Sequence, residues 1–319
     1  LDFAGGWTDV APFATERRGV VVNGAIELRT TVDVFMEGIG RRIESRDLAV
    51  SLELRSPADY EMNGRLDLLK AALRDSSIAD CRLVTQSAAP PGSGLGSSGA
   101  LGVALVAALD RAAQRSAAPV DLAERAWRLE AVEAGLPGGR QDQYAAALGG
   151  FHVFEFTAEL VRFEPIAVAP GFAEWLERHL VVCYTGQSRV SGETISRVMA
   201  KYIERDRGVT AALVGLVETA EQMAEALRKG DAGLVGRLLT ANWRHQQALD
   251  PGMQTPLMAK LEAAMASLGA LGGKAAGAGA GGSMFFLIDG DPQAARGQAL
   301  AEGMRVLPLT WSPEGARVW

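Results

Sequence analysis

The stretch Pro90-Pro91-Gly92-Ser93-Gly94-Leu95-Gly96-Ser97-Ser98-Gly99-Ala100 has the residue types needed to hold a phosphate. Glycines let main-chain N–H groups close on an anion, and a following helix adds its positive end. The flanks fit that use: Cys81 to Thr85 is predicted as a strand, and the Ala/Leu/Val run from Ala100 to Ala113 as a buried helix. Ser97 and Ser98 add hydroxyls that can hold a phosphate oxygen or a magnesium ion. Pro91, Gly92, Ser93, Gly94, Leu95, Gly96, Ser97 and Ser98 are therefore the phosphate-loop candidates. Gly94-x-Gly96-x-x-Gly99 matches the dinucleotide fingerprint in spacing. The acidic residue that fingerprint requires about 20 residues on would fall within the helix or its polar exit, so that reading is rejected. A nucleotide P-loop would need a lysine that this stretch lacks. A merely flexible turn is disfavoured by the Pro-Pro entry and the apolar exit.

Carboxylates that could complete such a site are Glu130, on a predicted helix, and Asp142, twelve residues on in a polar loop. Phosphoryl transfer needs magnesium across the phosphates and a carboxylate near the attacking hydroxyl. A carboxylate with a serine hydroxyl is a workable part of a magnesium shell. The plain alternatives are a solvated helix face for Glu130 and a helix N-cap for Asp142, and Glu133 rivals Glu130 from one turn on. At the chain start, Gly5-Gly6-Trp7-Thr8-Asp9 puts short oxygen-bearing side chains on a tight turn, which suits sugar hydroxyls. Its bland reading is a capped turn. Lys274-Ala275-Ala276-Gly277-Ala278-Gly279-Ala280-Gly281-Gly282-Ser283 is a second small-residue loop, either a phosphate-side contact or a hinge. Arg189, after Tyr184-Thr185-Gly186-Gln187-Ser188, could pair with a phosphate already on a substrate or with a surface carboxylate. The Trp243-Arg244-His245 cluster is read as core plus solvated edge.

Three of these stretches resemble the motifs of the GHMP kinase family, in that family's order. Pro-x-x-x-Gly-Leu-Gly-Ser-Ser-Gly-Ala is similar to its phosphate loop, and Gly138-Gly139-Arg140-Gln141-Asp142-Gln143-Tyr144 to its acidic loop. The 274–283 stretch is similar to its C-terminal Gly-Ala-Gly-Gly-Gly-Gly motif, with Ala280 in place of one glycine. That replacement is harmless unless φ there must be positive. Gly5 to Asp9, and Gly19-Val20-Val21-Val22-Asn23-Gly24-Ala25-Ile26 after it, resemble the sugar-directed branch. The resemblance implies an α+β GHMP kinase fold with a ribosomal-S5-like N-terminal domain over 1–165 and a ferredoxin-like C-terminal domain over 166–319. It implies ATP and Mg2+ as cofactors, Asp142 as catalytic residue, Ser98 and Glu130 as magnesium holders, and Thr8, Asp9, Gln141 and Arg189 as substrate contacts. The implied activity is an ATP-dependent sugar 1-kinase acting on a heptose 7-phosphate or a related sugar. Alternatives are L-fucokinase or galactokinase-like activity, a non-catalytic sugar and nucleotide sensor, and a decarboxylase related to the mevalonate branch. Trp7 is closer to the fucokinase form and the chain length closer to the heptose enzymes.

The elements that must position these residues alternate in type along the chain. Strands are predicted at Val20–Asn23, Ile26–Phe35, Arg41–Arg55, Phe151–Phe156, Leu180–Tyr184, Ser283–Ile288 and Val306–Leu309. Helices are predicted over 66–73, 119–134 with Asp121 as cap, 191–205, 210–228, 231–249, 256–268 and 292–303. Gly269 to Gly282 is glycine- and alanine-rich, and the boundary between halves is placed near 157–175.

Composition narrows the class. The 319 residues are 48% hydrophobic and 22% charged, enough for a full core in one or two domains. A net charge of −6 argues against a nucleic-acid partner. No apolar run is long enough to span a membrane, and no secretory signal opens the chain. Cys81 and Cys183, with three histidines, suggest neither a disulfide framework nor a His-based metal site. These features fit a cytoplasmic enzyme; a small-molecule sugar or sugar phosphate as partner is what the resemblance implies, and a monomer or homodimer is expected. The chain opens on Leu1, so its natural start, with a basic residue common in the family, is expected to precede it.

Overall fold

The computed structural model describes residues 1–36, 40–187 and 191–319. In chain order its strands are β1 (Asp2–Ala4), β2 (Gly19–Gly24), β3 (Thr30–Phe35), β4 (Arg41–Ser45), β5 (Val50–Leu54), β6 (Cys81–Ser87), β7 (Phe151–Phe156), β8 (Val161–Pro165), β9 (Leu180–Tyr184), β10 (Ala270–Ala275), β11 (Ser283–Ile288) and β12 (Arg305–Leu307). Its helices are α1 (Phe13–Glu16), α2 (Asp67–Asp75), α3 (Ser97–Ala112), α4 (Pro119–Arg128), α5 (Gln141–Leu148), α6 (Phe172–His179), α7 (Ser191–Ile203), α8 (Arg207–Lys229), α9 (Ala232–Leu249), α10 (Pro256–Ser267) and α11 (Pro292–Ala301). They divide into two compact units, one of Leu1–Glu27, Gly92–Leu95 and Gly150–Pro313, the other of Leu28–Pro91, Gly96–Gly149 and Glu314–Trp319.

The first unit holds two antiparallel four-stranded sheets, ordered β1-β2-β7-β8 and β10-β11-β9-β12. The apolar runs of β9 and β11 form its centre, and β11 is buried along its whole length. Around them lie Trp7, Phe13, Tyr202, Leu216, Trp243 and Met253. Its helices start where the sequence supplies caps: Asp206, Asp231, Thr255 and Asp291 each accept a main-chain N–H of the first turn.

Strand β10 lies inside the glycine- and alanine-rich stretch, where the sequence predicts no strand. Its small residues are a packing requirement: a Cβ on Gly272 would sit 1.8 Å from the Gly236 carbonyl oxygen, so α9 meets the strand backbone to backbone. Lys274, at the end of β10, is fully buried. Its ammonium donates to the Asp2 carbonyl at 2.8 Å and to Asp2 Oδ2 at 2.6 Å. Burial pulls this lysine below its usual pKa, with Asp2 opposing.

The second unit holds the sheet β3-β6-β4-β5, antiparallel except for β4 alongside β6. Helix α3 packs on β3, α4 and α5. The predicted helix over 119–134 differs in two ways. Its N-cap is Ala118 with Pro119 at the first helical position, so Asp121 lies in the first turn and does not cap. After Arg128 it widens into a π-turn over Leu129–Glu133, in which Ala134 N–H donates to the Leu129 carbonyl at 2.9 Å. That wider turn re-aims Glu130, a use typical of π-bulges.

Candidate active site

In the second unit, the start of α3 gathers three predicted residues. Its N-cap, Gly96, sits at φ +72 and makes no side-chain capping hydrogen bond. The exposed Ser98 donates its hydroxyl to Glu130 Oε1. The other oxygen of that carboxylate accepts from Gln143 Nε2 at 2.6 Å. Burial raises the pKa of Glu130, with the Ser98 and Gln143 hydrogen bonds opposing. Glu133 is committed elsewhere, to Arg74 at 3.1 Å and Arg128 at 3.6 Å, which separates it from its rival.

Asp142 lies in the first turn of α5, beside the same helix start. A Cβ added to Gly96 would lie 2.9 Å from Asp142 Oδ1, and one on Gly99 would lie 2.7 Å from Asp142 Cβ. Both glycines are therefore needed for the carboxylate to stand against the loop. Gln141, half-buried, precedes it as the first residue of α5. The turn before α5 is braced by Arg140, whose guanidinium lies 4.0 Å over the Trp127 ring and 3.4 Å from Glu124. Tyr144 donates to the same Glu124 at 2.5 Å.

In the first unit, the phosphate-loop residues Gly92 and Gly94 take φ +67 and +74. Pro91, counted with the second unit, is exposed and Leu95 half-buried; Ser97 is half-buried at the head of α3. Ser93 is fully buried, and its carbonyl accepts from Ser283 N–H at 2.9 Å. The 276–283 loop thus lies on the phosphate loop: a Cβ on Gly94 would be 2.6 Å from the Ala276 carbonyl oxygen. Ala280 does adopt a positive φ, +62.

The opening loop is tied down by its own hydrogen bonds. Thr8 is fully buried. Its hydroxyl lies 2.7 Å from the Gly5 carbonyl and 3.1 Å from that of Val20, and accepts from Val20 N–H at 3.0 Å. In this conformation its hydroxyl fastens the loop to β2. Asp9, 5% exposed, follows it. Trp7 sits at φ +85, and its buried indole N–H has no hydrogen-bond partner among the described residues. Arg189 lies outside the described residues.

Two residues of this half escaped sequence reasoning. Asn242 Oδ1 accepts from Gly5 N–H at 2.9 Å, and Gln246 Nε2 donates to the Gly277 carbonyl at 2.8 Å. Their signal was a pair of amides four apart on a largely apolar helix. A cavity of about 690 Å³ in the second unit, lined by Arg41, Leu54, Tyr60, Met62 and Arg74 among others, involves none of the motifs. Among the described residues no three His, Cys, Asp or Glu side chains gather as a metal site, and no helix is long and apolar enough to cross a membrane.

Comparison with known proteins gives the family of the chain. Residues 65–150 match the GHMP kinases N terminal domain and residues 223–305 the GHMP kinases C terminal domain. The chain is 29% identical to the D-glycero-alpha-D-manno-heptose 7-phosphate kinase of Campylobacter jejuni, over 100% of this chain and 96% of that one. It is also 29% identical to the bifunctional fucokinase/GDP-fucose pyrophosphorylase of Arabidopsis thaliana, over 82% of this chain but 26% of that longer protein. Its fold is similar to a solved D-glycero-D-manno-heptose 1-phosphate kinase of Bacteroides thetaiotaomicron, with a TM-score of 0.76, 24% identity, and 100% and 97% of the two chains covered.

Proposed function

Because the chain belongs to the GHMP kinase family, we propose that it moves the terminal phosphoryl group of MgATP to the anomeric hydroxyl of a heptose 7-phosphate or a related sugar. It is an ATP-dependent phosphotransferase with a hydroxyl acceptor, a sugar kinase close to the heptose phosphate kinases and fucokinase. The observation that carries the finer reading is Asp142 Oδ1 standing 2.9 Å from where a Gly96 side chain would begin. A carboxylate there adjoins helix amides suited to phosphate.

In the proposed mechanism, the acceptor hydroxyl oxygen bonds to the γ-phosphorus and the bond to the β-phosphate bridging oxygen breaks, releasing ADP. Asp142 orients the hydroxyl and takes its proton. The amides at the start of α3, with Gly92 to Ser98, hold the polyphosphate. Ser98 and Glu130 fit a hard cation: both offer oxygen, they are already joined, and the raised pKa of Glu130 marks a partly buried carboxylate whose charged form a cation would favour. When bound, Mg2+ supplies charge neutralisation across the phosphates. Asp9 and Gln141 remain the acceptor-side residues of the proposal, and Arg189 is assigned to the 7-phosphate. In this reading residues 1–165 carry the nucleotide loop and Asp142, residues 166–319 form the C-terminal domain, and the enzyme works in the cytoplasm, where ATP is available, as a monomer or homodimer. L-fucose is the second acceptor class, favoured by Trp7.

The test is a coupled ADP-release assay over heptose 7-phosphate, fucose, galactose and mannose. Turnover should depend on Mg2+, be strongest with heptose 7-phosphate, and fall by roughly 10³-fold or more in Asp142→Asn while ATP affinity stays within several-fold. Arg189→Ala should harm only phosphorylated acceptors. ATP binding without ADP release on any acceptor would make the protein a sensor; undiminished rates in Asp142→Asn would remove that residue from the chemistry.

A further inference from the structure

Two buried amide side chains on α9 hold main-chain groups from two different motifs, all within the first unit. Asn242 and Gln246 are each 1% exposed and one helical turn apart. Asn242 accepts from Gly5 N–H, at the head of the Gly-Gly-Trp-Thr-Asp loop. Gln246 donates to the carbonyl of Gly277, in the loop that lies on the phosphate loop. A Cβ on Gly277 would come within 2.8 Å of Gly94 Cα, so a shift of one loop moves the other. The helix is itself fixed: a Cβ on Gly236 would meet Leu271 Cβ at 2.4 Å. Burying two amides is costly unless they are used, and these are used on functional backbone.

We propose that α9 is the common mount of the acceptor loop and the donor loop, with Asn242 and Gln246 as positioning residues that set the distance between sugar hydroxyl and γ-phosphate. The inference rests on the kinase reading. In-line transfer tolerates little displacement, about 1 Å costing roughly 10²-fold in rate. Asn242 acts on the sugar side and Gln246 on the nucleotide side.

The experiment uses the full chain and the acceptor that the wild type phosphorylates best. Asn242→Leu should raise KM for the sugar about tenfold with KM for ATP within about twofold, and Gln246→Met should do the reverse; kcat should fall in both. Asn242→Asp keeps the acceptor oxygen and should return the sugar KM toward the wild-type value. Should Asn242→Leu not fold, Asn242→Ser, too short to reach Gly5, replaces it. Unchanged KM values with only a smaller folded fraction, or both KM values moving together in each variant, would overturn the proposal. Hydrogen exchange separates this from the kinase reading. If the wild type turns over no sugar, that reading fails, and the mount stands or falls on local protection. Asn242→Leu must then speed exchange over residues 5–9 and spare 276–283, and Gln246→Met must do the opposite. Any other pattern rejects it.

Discussion

Ala280 and Gly94 occupy loops that touch, both with positive φ, yet they tolerate change differently. At Ala280 the left-handed backbone costs about 1–2 kcal/mol. Ala280→Gly would relieve that strain, but it forfeits about 0.8 kcal/mol of methyl burial and adds about 0.5–1 kcal/mol of chain entropy. The effects offset, so Ala280→Gly should leave the urea midpoint within about 1 kcal/mol of wild type. Gly94→Ala adds the same φ penalty to a clash with the Ala276 carbonyl, and should lose nucleotide binding in a titration. Gly99→Ala is subtler: helix propensity gains about 1 kcal/mol, while a Cβ 2.7 Å from that of Asp142 costs about 1–3 kcal/mol in local repacking. The protein should stay folded by circular dichroism with kcat down at least tenfold. Glycines and carboxylates of the site were legible in the sequence because backbone approach and charge are local properties. The inward turn of Thr8 was not, because its partners, the carbonyls of Gly5 and Val20 and the Val20 amide, are main-chain groups with no sequence signature.

Among elements, α3 and α4 are tied by a buried carboxylate. Asp110 accepts from Arg125 at 2.5 and 3.1 Å and from Arg115 at 3.2 Å. Arg125 holds its carboxyl below the usual carboxylate range, with burial opposing. A depressed acid stabilises the fold fully above its unfolded pKa and loses that stabilisation as pH falls through the folded value. Wild-type stability should therefore drop on the acid side, and Asp110→Asn should flatten that limb at a cost of about 1–2 kcal/mol near neutrality, discounted because both arginines are part-exposed. Urea midpoints across pH would show both. The strands β9 and β11 and the capped helices were readable from apolar runs and Asp or Thr starts. Strand β10 was not: Gly272 and its neighbours look like a loop until α9 is known to lie against them.

For the molecule as a whole, ligand binding should register as stability. MgATP at about 100 times its Kd adds about 2.7 kcal/mol, and thermal unfolding should shift upward by several degrees. Ser98→Ala should reduce the Mg2+-dependent part of that shift, and an equal shift in the variant would take Ser98 out of the metal shell. The family was legible because three motifs recur in order; the acceptor sugar was not, because no motif specifies which side chains meet it.

The buried pair of Lys274 and Asp2 joins positions 272 residues apart. During synthesis the first strand emerges from the ribosome long before the lysine that anchors it, and β2 waits for β7 to pair along its other edge. The hairpin of β1 and β2 can pair locally, but Asp2 gains its lysine partner only after residue 274 has been made. Residues 28–91 and 96–149, most of the second unit, have emerged by then, so chain order favours forming that unit's sheet before the ion pair of β1 and β10 closes.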